Sequence, residues 1–313
     1  MAGFAGRNSR NEGWSQNTAG LRRGRCRRRS RSVTDDFSDS TLVLVGHGST
    51  LNADSAAPVW QQAEALRRRG FFGQVVECFW KEQPTIAGVL RGAYGSRVFV
   101  VPFFISEGYF TAQVIPRELG LVRPGATEFA RAQVRGEQTV FYCGAVGSHP
   151  SMTEVILARA DEVVAQNPGA DGRLPEAREL SLFIAGHGTG RNENSRKAIE
   201  RQAELISARR RFHSTQAIFM EEEPQIGRCF ELATTADLVI VPFFISDGLH
   251  SQEDIPMMLG EPADAVRARL VAGRPTFENP TERNGRRVWY ARSVGSEPLL
   301  ADVILERVRE AAR

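Results

Sequence analysis

Three histidines stand where side chains could hold a metal ion or move a proton. His47 and His187 each lie between two glycines at the end of an apolar run, Val43-Leu-Val-Gly-His-Gly-Ser49 and Leu182-Phe-Ile-Ala-Gly-His-Gly-Thr189. The glycines permit a sharp turn and a close approach of ligand to backbone. His250 follows another apolar run, in Ser246-Asp-Gly-Leu-His-Ser-Gln-Glu-Asp-Ile-Pro256. Two imidazoles at one sheet edge, with Glu221 as a carboxylate beside them, suit a divalent first-row metal and leave other coordination positions open. A neutral imidazole also accepts a proton near neutral pH. His187, His250 and Glu221 are therefore the expected metal ligands.

The spacing of these residues is that of an internal repeat. His47 and His187 are 140 residues apart, and the same offset relates Phe79-Trp-Lys-Glu-Gln-Pro-Thr-Ile86 to Phe219-Met-Glu-Glu-Glu-Pro-Gln-Ile226. Val101-Pro-Phe-Phe-Ile-Ser106 recurs unchanged as Val241–Ser246, and Ile115-Pro116 as Ile255-Pro256. Near the end of each copy, Val146-Gly-Ser-His-Pro150 answers Val294-Gly-Ser-Glu-Pro298 at an offset of 148. At these offsets His187 matches His47, but Glu221 matches Lys81 and His250 matches Phe110. A cation and an apolar ring cannot ligate a metal, so the first copy keeps the fold and has lost the site. The carboxylates Glu222, Glu223, Glu253 and Asp254 remain open between a helix-start role and proton relay or metal entry. His149, matched by Glu297, reads as a capping or surface residue.

The elements that position these groups read as strand and helix in alternation, four pairs per copy, which implies a parallel sheet covered on both faces. The predicted strands are 41–45, 75–79, 97–104 and 139–145, then 180–185, 216–220, 237–244 and 287–293. The helix predicted over 56–69 has Val59, Ala63 and Leu66 on one face and stops at Gly70. The fold class is thus α/β, two tandem similar lobes each built on a four-stranded parallel sheet flanked by helices. The expected domains are a disordered Arg-rich tail at 1–40, an N-terminal lobe at 41–167, a linker at 168–179 and a C-terminal, site-bearing lobe at 180–313. Ligands of such sheets bind beyond the carboxyl ends of the strands, where both Gly-His-Gly segments fall.

Composition bounds the partners. The formal charge of +3 is carried by the first forty residues, nine Arg against four acids, which leaves 41–313 slightly acidic. The folded part is not built for nucleic acid. The four cysteines lack disulfide or zinc spacing, and no apolar run is long enough to cross a bilayer. A soluble, cytoplasmic protein is expected, monomer or homo-oligomer. The tail lacks the apolar stretch of an export signal.

At the histidine segments the chain resembles the class II tetrapyrrole chelatases, the sirohydrochlorin cobalto- and ferrochelatases of the CbiX and SirB type, in their long, two-lobed form. The resemblance rests on Gly186-His187-Gly188-Thr189 and on Val241 to Pro256, and spans 41–313. It implies insertion of Co²⁺ or Fe²⁺ into sirohydrochlorin, for cobalamin or sirohaem, with the metal as substrate, no tightly bound cofactor, and His187, His250 and Glu221 as the catalytic groups. It also implies that cations orient the many carboxylates of that macrocycle, with Arg191, Arg196 and Lys197 as candidates, while His47, Tyr109 and Phe110 line the opposite wall. The alternative is a non-catalytic metal or tetrapyrrole carrier using the same residues. A phosphate-transfer enzyme with a nucleophilic histidine fits less well, because it calls for arginines directly beside the histidine.

Overall fold

The computed structural model describes residues 36–50, 55–188 and 193–313. Most of the expected tail therefore lies outside the described residues, but its last part does not. Strand β1 (Phe37–Gly46) begins inside it. Phe37 is fully buried against Phe72 and Phe99, while Asp39 turns outward to Arg97. Asp39, one of the acids of the expected tail, is thus an exposed position of this strand, just before it becomes buried from Ser40 onward.

Each lobe holds a five-stranded sheet, ordered β2-β1-β3-β5-β4 and β7-β6-β8-β10-β9. In the first lobe the strands after β1 are β2 (Phe72–Phe79), β3 (Arg97–Pro102), β4 (Ala132–Arg135) and β5 (Gln138–Tyr142). The second has β6 (Leu180–Gly186), β7 (Ser214–Phe219), β8 (Asp237–Pro242), β9 (Thr281–Arg283) and β10 (Arg286–Tyr290). The four predicted strands of each lobe are present and parallel. The fifth, β4 or β9, is an antiparallel edge formed by a tight hairpin, short and polar enough to lack an apolar strand pattern. The central strands are buried on both faces, as Val98, Phe99, Val100 and Val101 illustrate.

The helices are α1 (Ala57–Arg69), α2 (Ile115–Glu118), α3 (Met152–Gln166), α4 (Glu193–Ala208), α5 (Cys229–Leu232), α6 (Ile255–Met258), α7 (Ala263–Val271) and α8 (Leu300–Ala311). Helix α1 closes at Gly70 in the left-handed region, with Arg67, Arg68 and Arg69 favourably placed in its last turn. The helix predicted after each second strand is only a short turn: Val89–Gly92 in the first lobe, Ile226–Arg228 running into α5 in the second. Pro84, Gly88 and Gly92 leave no run of helix formers there. None of the described helices is long and apolar enough to cross a membrane.

The lobes exchange their last helices. Helix α3, expected to complete the first lobe, packs on α4, β8 and β10 of the second, and α8 packs on α1 and β3 of the first. One core joins the inner faces of both sheets through these four long helices, while each outer face has its own smaller core. The lobes are therefore interlocked, not merely apposed across a cleft. Residues matched by the repeat lock the exchange. Gln62 Nε2 donates to the Glu297 carbonyl at 2.9 Å, and Gln202 Nε2 to the His149 carbonyl at 3.0 Å. Arg307 on α8 donates to the Ala145 carbonyl and Ser148 Oγ. Its counterpart Arg159 on α3, 2% exposed, donates to the Ser293 carbonyl at 3.0 Å and Ser296 Oγ at 2.7 Å and lies 3.3 Å from Glu297.

Arg159→Met is expected to destabilise the fold by about 3 kcal/mol, since it strands a buried carboxylate without its cation. Denaturant unfolding at neutral pH checks this. His149 sits at the other junction, 8% exposed, with Nε2 3.2 Å from Glu310 of α8 and Nδ1 2.6 Å from Ser151 Oγ. It lies just before α3, whose N-cap is Ser151 with no side-chain capping bond, and it is buried, so it is neither the cap nor the surface residue expected. Burial, aided by the Arg307 charge and opposed by Glu310, holds its pKa below the usual 6.5. The unfolded chain thus binds this proton more readily, so the associated stability is present above the unfolded value and lost as pH falls through the folded one. His149→Gln should flatten the drop in Tm from about pH 7 to about pH 5.

Candidate metal centre

Strand β6 ends at Gly186, where a Cβ would come 2.0 Å from Ile199 Cδ1 of α4, so any larger residue would require the Ile199 side chain to move. Gly188, at φ +64°, turns the chain back sharply. The turn brings the His187 Nδ1 within 2.7 Å of the Gly188 carbonyl. The His187 carbonyl in turn accepts the N–H groups of Met220 and Glu221, both at 3.1 Å, which ties the end of β7 to this loop. Glu221 Oε1 consequently lies 3.7 Å from His187 Nε2.

His250 arrives from β8 on a π-type turn, His250–Asp254, in which the Ile255 N–H reaches back five residues to the His250 carbonyl. Neighbouring bonds fix this segment: Tyr290 OH donates to the Ser251 carbonyl at 2.6 Å, Ser251 Oγ to the Gly248 carbonyl at 3.1 Å, and the Ser293 N–H to Asp247 at 2.8 Å. The His250 and His187 rings meet edge to face with centroids 5.0 Å apart at 75°. His250 Nδ1 donates to Asp254 Oδ2 at 2.7 Å.

These bonds select the tautomers. A carbonyl and a carboxylate only accept, so in neutral His187 and His250 the proton sits on Nδ1 and the lone pair on Nε2. Holding the distal nitrogen on an acceptor fixes the ring and raises its basicity toward a metal. Asp254 belongs to this arrangement, and its place four residues after His250 is the signal by which a helical turn would have revealed it. The other unassigned carboxylates are engaged elsewhere: Glu222 with Arg196, Glu223 with Arg228, Glu253 with Arg267.

Among the described residues no three His, Cys, Asp or Glu side chains are grouped to hold a metal ion. His187 and His250 are brought together, and Glu221 reaches His187 without closing a three-donor set. Its side chain is 58% exposed and retains the rotamer freedom to close on an arriving ion.

The first lobe repeats the geometry with other chemistry. His47 Nδ1 lies 2.8 Å from the Gly48 carbonyl, and the His47 and Phe110 rings meet at 5.0 Å and 76°. Trp80 packs against both rings, and Lys81 Nζ sits 3.6 Å over the Trp80 ring. Phe110 is thus part of an aromatic cluster, whereas Tyr109 is 61% exposed, as is its counterpart Leu249 at 58%. Of the expected cations, Arg196 is bound by Glu200 at 2.8 Å, Glu222 at 3.1 Å and the Glu223 carbonyl at 3.0 Å. Lys197 pairs along its own helix with Glu193 at 2.6 Å, and Arg191 lies outside the described residues.

A family model described as CbiX matches residues 41–163 and 181–311. A Halobacterium salinarum protein named probable sirohydrochlorin cobaltochelatase is 43% identical over 280 residues, 86% of this chain and 91% of that one. A Methanopyrus kandleri protein named sirohydrochlorin cobaltochelatase is 29% identical over 139 residues, which is 42% of this chain and 96% of that protein. Among solved structures, a multi-domain Deinococcus radiodurans protein described as similar to chelatases superposes with a TM-score of 0.68 at 29% identity. The match covers 86% of this chain but only 54% of that one. SirB from Bacillus subtilis, solved with Fe³⁺, shares the fold at a TM-score of 0.60 and 16% identity, covering 88% of this chain and 96% of that one.

Proposed function

The chain belongs to the CbiX family, and on that premise we propose that it is a metal chelatase that inserts a divalent ion into sirohydrochlorin. The observation that carries this reading is the His187–His250 pair, 5.0 Å apart, each ring tied at Nδ1 so that Nε2 is left to act. The Nε2 lone pairs take the ion from water, and Glu221 adds a carboxylate that offsets its charge. An open site that holds its ion by two imidazoles and one adjustable carboxylate suits a metal in transit better than a resident one. Metallation releases two pyrrole protons, and the same imidazoles, once they give up the ion, offer Nε2 lone pairs to receive them. Tyr109 and Leu249, equivalent in the repeat and exposed in both lobes, offer apolar surface to the flat macrocycle.

Co²⁺ is the first metal to test, because the curated relatives are named cobaltochelatases. The cytoplasm is the proposed location, in keeping with Cys78, Cys143 and Cys229, which are free and buried with thiol pKa values pushed up to about 12 by burial. The test is purified protein with Co²⁺ and sirohydrochlorin under anaerobic conditions, followed by the absorbance change of metallation. Acceleration over the spontaneous rate is expected, with turnover. Stoichiometric binding without acceleration would instead make the protein a carrier.

A further inference from the structure

Helix exchange leaves an equivalent cleft beside the last parallel strand of each sheet, and the two clefts differ greatly in size. In the first lobe, the space between the end of β5 and Glu310 of α8 is about 200 Å³. In the second, the matching space between the end of β10 and Glu162 of α3 is about 850 Å³. The larger cleft is lined in part by a segment eight residues longer than its counterpart, the step in repeat offset from 140 to 148, which holds α7 and the loop after it. The longer segment is thus in the lobe that keeps the paired histidines.

The larger cleft is cationic in what it leaves unused. Its acids are already occupied: Asp247 by the Ser293 N–H at 2.8 Å, Glu162 by Arg159, and Glu278 by Arg269 at 2.8 Å. The Arg274 guanidinium has no hydrogen bond or ion pair among the described residues. Arg292 is 67% exposed and makes only marginal contacts, 3.5 Å to Asp247 and 3.3 Å to Ser296 Oγ. Gln252, in the π-type turn, adds a carboxamide. In the first lobe Arg292 is replaced by Gly144 and Gln252 by Ala112, and Arg274 lies in the lengthened segment. Guanidinium groups with a carboxamide donor are the complement of a carboxylate. Gln252 lies in the same π-type turn as His250, so the cleft wall and the paired-histidine site share one element.

We propose that this cleft is a carboxylate-binding subsite that receives a peripheral carboxylate of the macrocycle while His187 and His250 engage the ion. The assignment rests on the chelatase reading. Free polycarboxylates share the same chemistry, and citrate serves as their probe. The test uses the full-length protein and the double variant Arg274→Gln, Arg292→Gln, with spectroscopic titration of metal-free sirohydrochlorin, steady-state kinetics and Co²⁺ titration. The expected result is a rise of about tenfold in Kd and KM for sirohydrochlorin, the scale of one charge-assisted bond lost, with kcat changed far less and Co²⁺ affinity retained. Lysine at both positions should recover part of the loss. Citrate should compete with sirohydrochlorin on the wild type and much less on the variant. Unchanged Kd and KM would overturn the proposal. Citrate binding lost in the variant with sirohydrochlorin KM unchanged would assign the cleft to a free carboxylate and overturn the side-arm assignment. A wild type that neither binds nor metallates sirohydrochlorin would refute the chelatase reading itself, a result separable from failure of the subsite alone.

Discussion

His250→Ala and His187→Ala are each expected to lower the rate of sirohydrochlorin metallation by at least about 100-fold, while His47→Ala stays within about threefold of wild type. The first two remove a lone pair from the only place where two imidazole rings meet among the described residues, at 5.0 Å. The third removes a histidine whose ring faces Phe110 and Trp80, neither of which can ligate. Asp254→Asn should fall between, about tenfold down, because it loosens the ring without removing the donor. Steady-state rates with Co²⁺ for the four variants check the order. A His47→Ala loss as large as the other two would move the site, or part of it, into the first lobe.

A second metal site is expected to appear when the first lobe is given the residues of the second. The ring geometries already agree, 5.0 Å and 76° for His47 with Phe110 against 5.0 Å and 75° for His187 with His250. Four changes separate the two sets: Trp80→Met, Lys81→Glu, Phe110→His and Val114→Asp, the last matching Asp254. Lys81→Glu removes the cation over Trp80 and places a carboxylate where Glu221 stands in the other lobe. Val114 and Asp254 are both partly buried, so the aspartate meets similar surroundings. The combined variant should bind about two equivalents of Co²⁺ where wild type binds about one, as measured by calorimetric titration at neutral pH. Binding of one equivalent by a folded variant would show that backbone and ring placement do not suffice.

Much of this was legible before any coordinates, because the repeat let one half of the chain comment on the other. Apolar β-branched runs located the parallel strands, and the spacing of 140 located the two histidine turns and the replacements at Lys81 and Phe110. What stayed hidden depends on long-range packing. Arg159 is a buried charge on a helix, and its partners Ser293, Ser296 and Glu297 come from the far end of the chain. Periodicity shows that α3 has an apolar face and is silent on which sheet that face covers. Arg196 looked free beside His187, but Glu200 and Glu222 hold it. Asp254 reads as an acid near a helix start, and its spacing of four from His250 gains its meaning from the turn that brings its carboxylate to an imidazole nitrogen.

Co²⁺ itself reports most directly on the paired-histidine site, through its visible absorption bands in a titration of the metal-free protein. Wild type and His47→Ala should each reach an end point near one equivalent with the same spectrum, and His187→Ala and His250→Ala should lose that spectrum. Retention of the wild-type spectrum in either His187→Ala or His250→Ala would contradict the assignment of the metal to this pair.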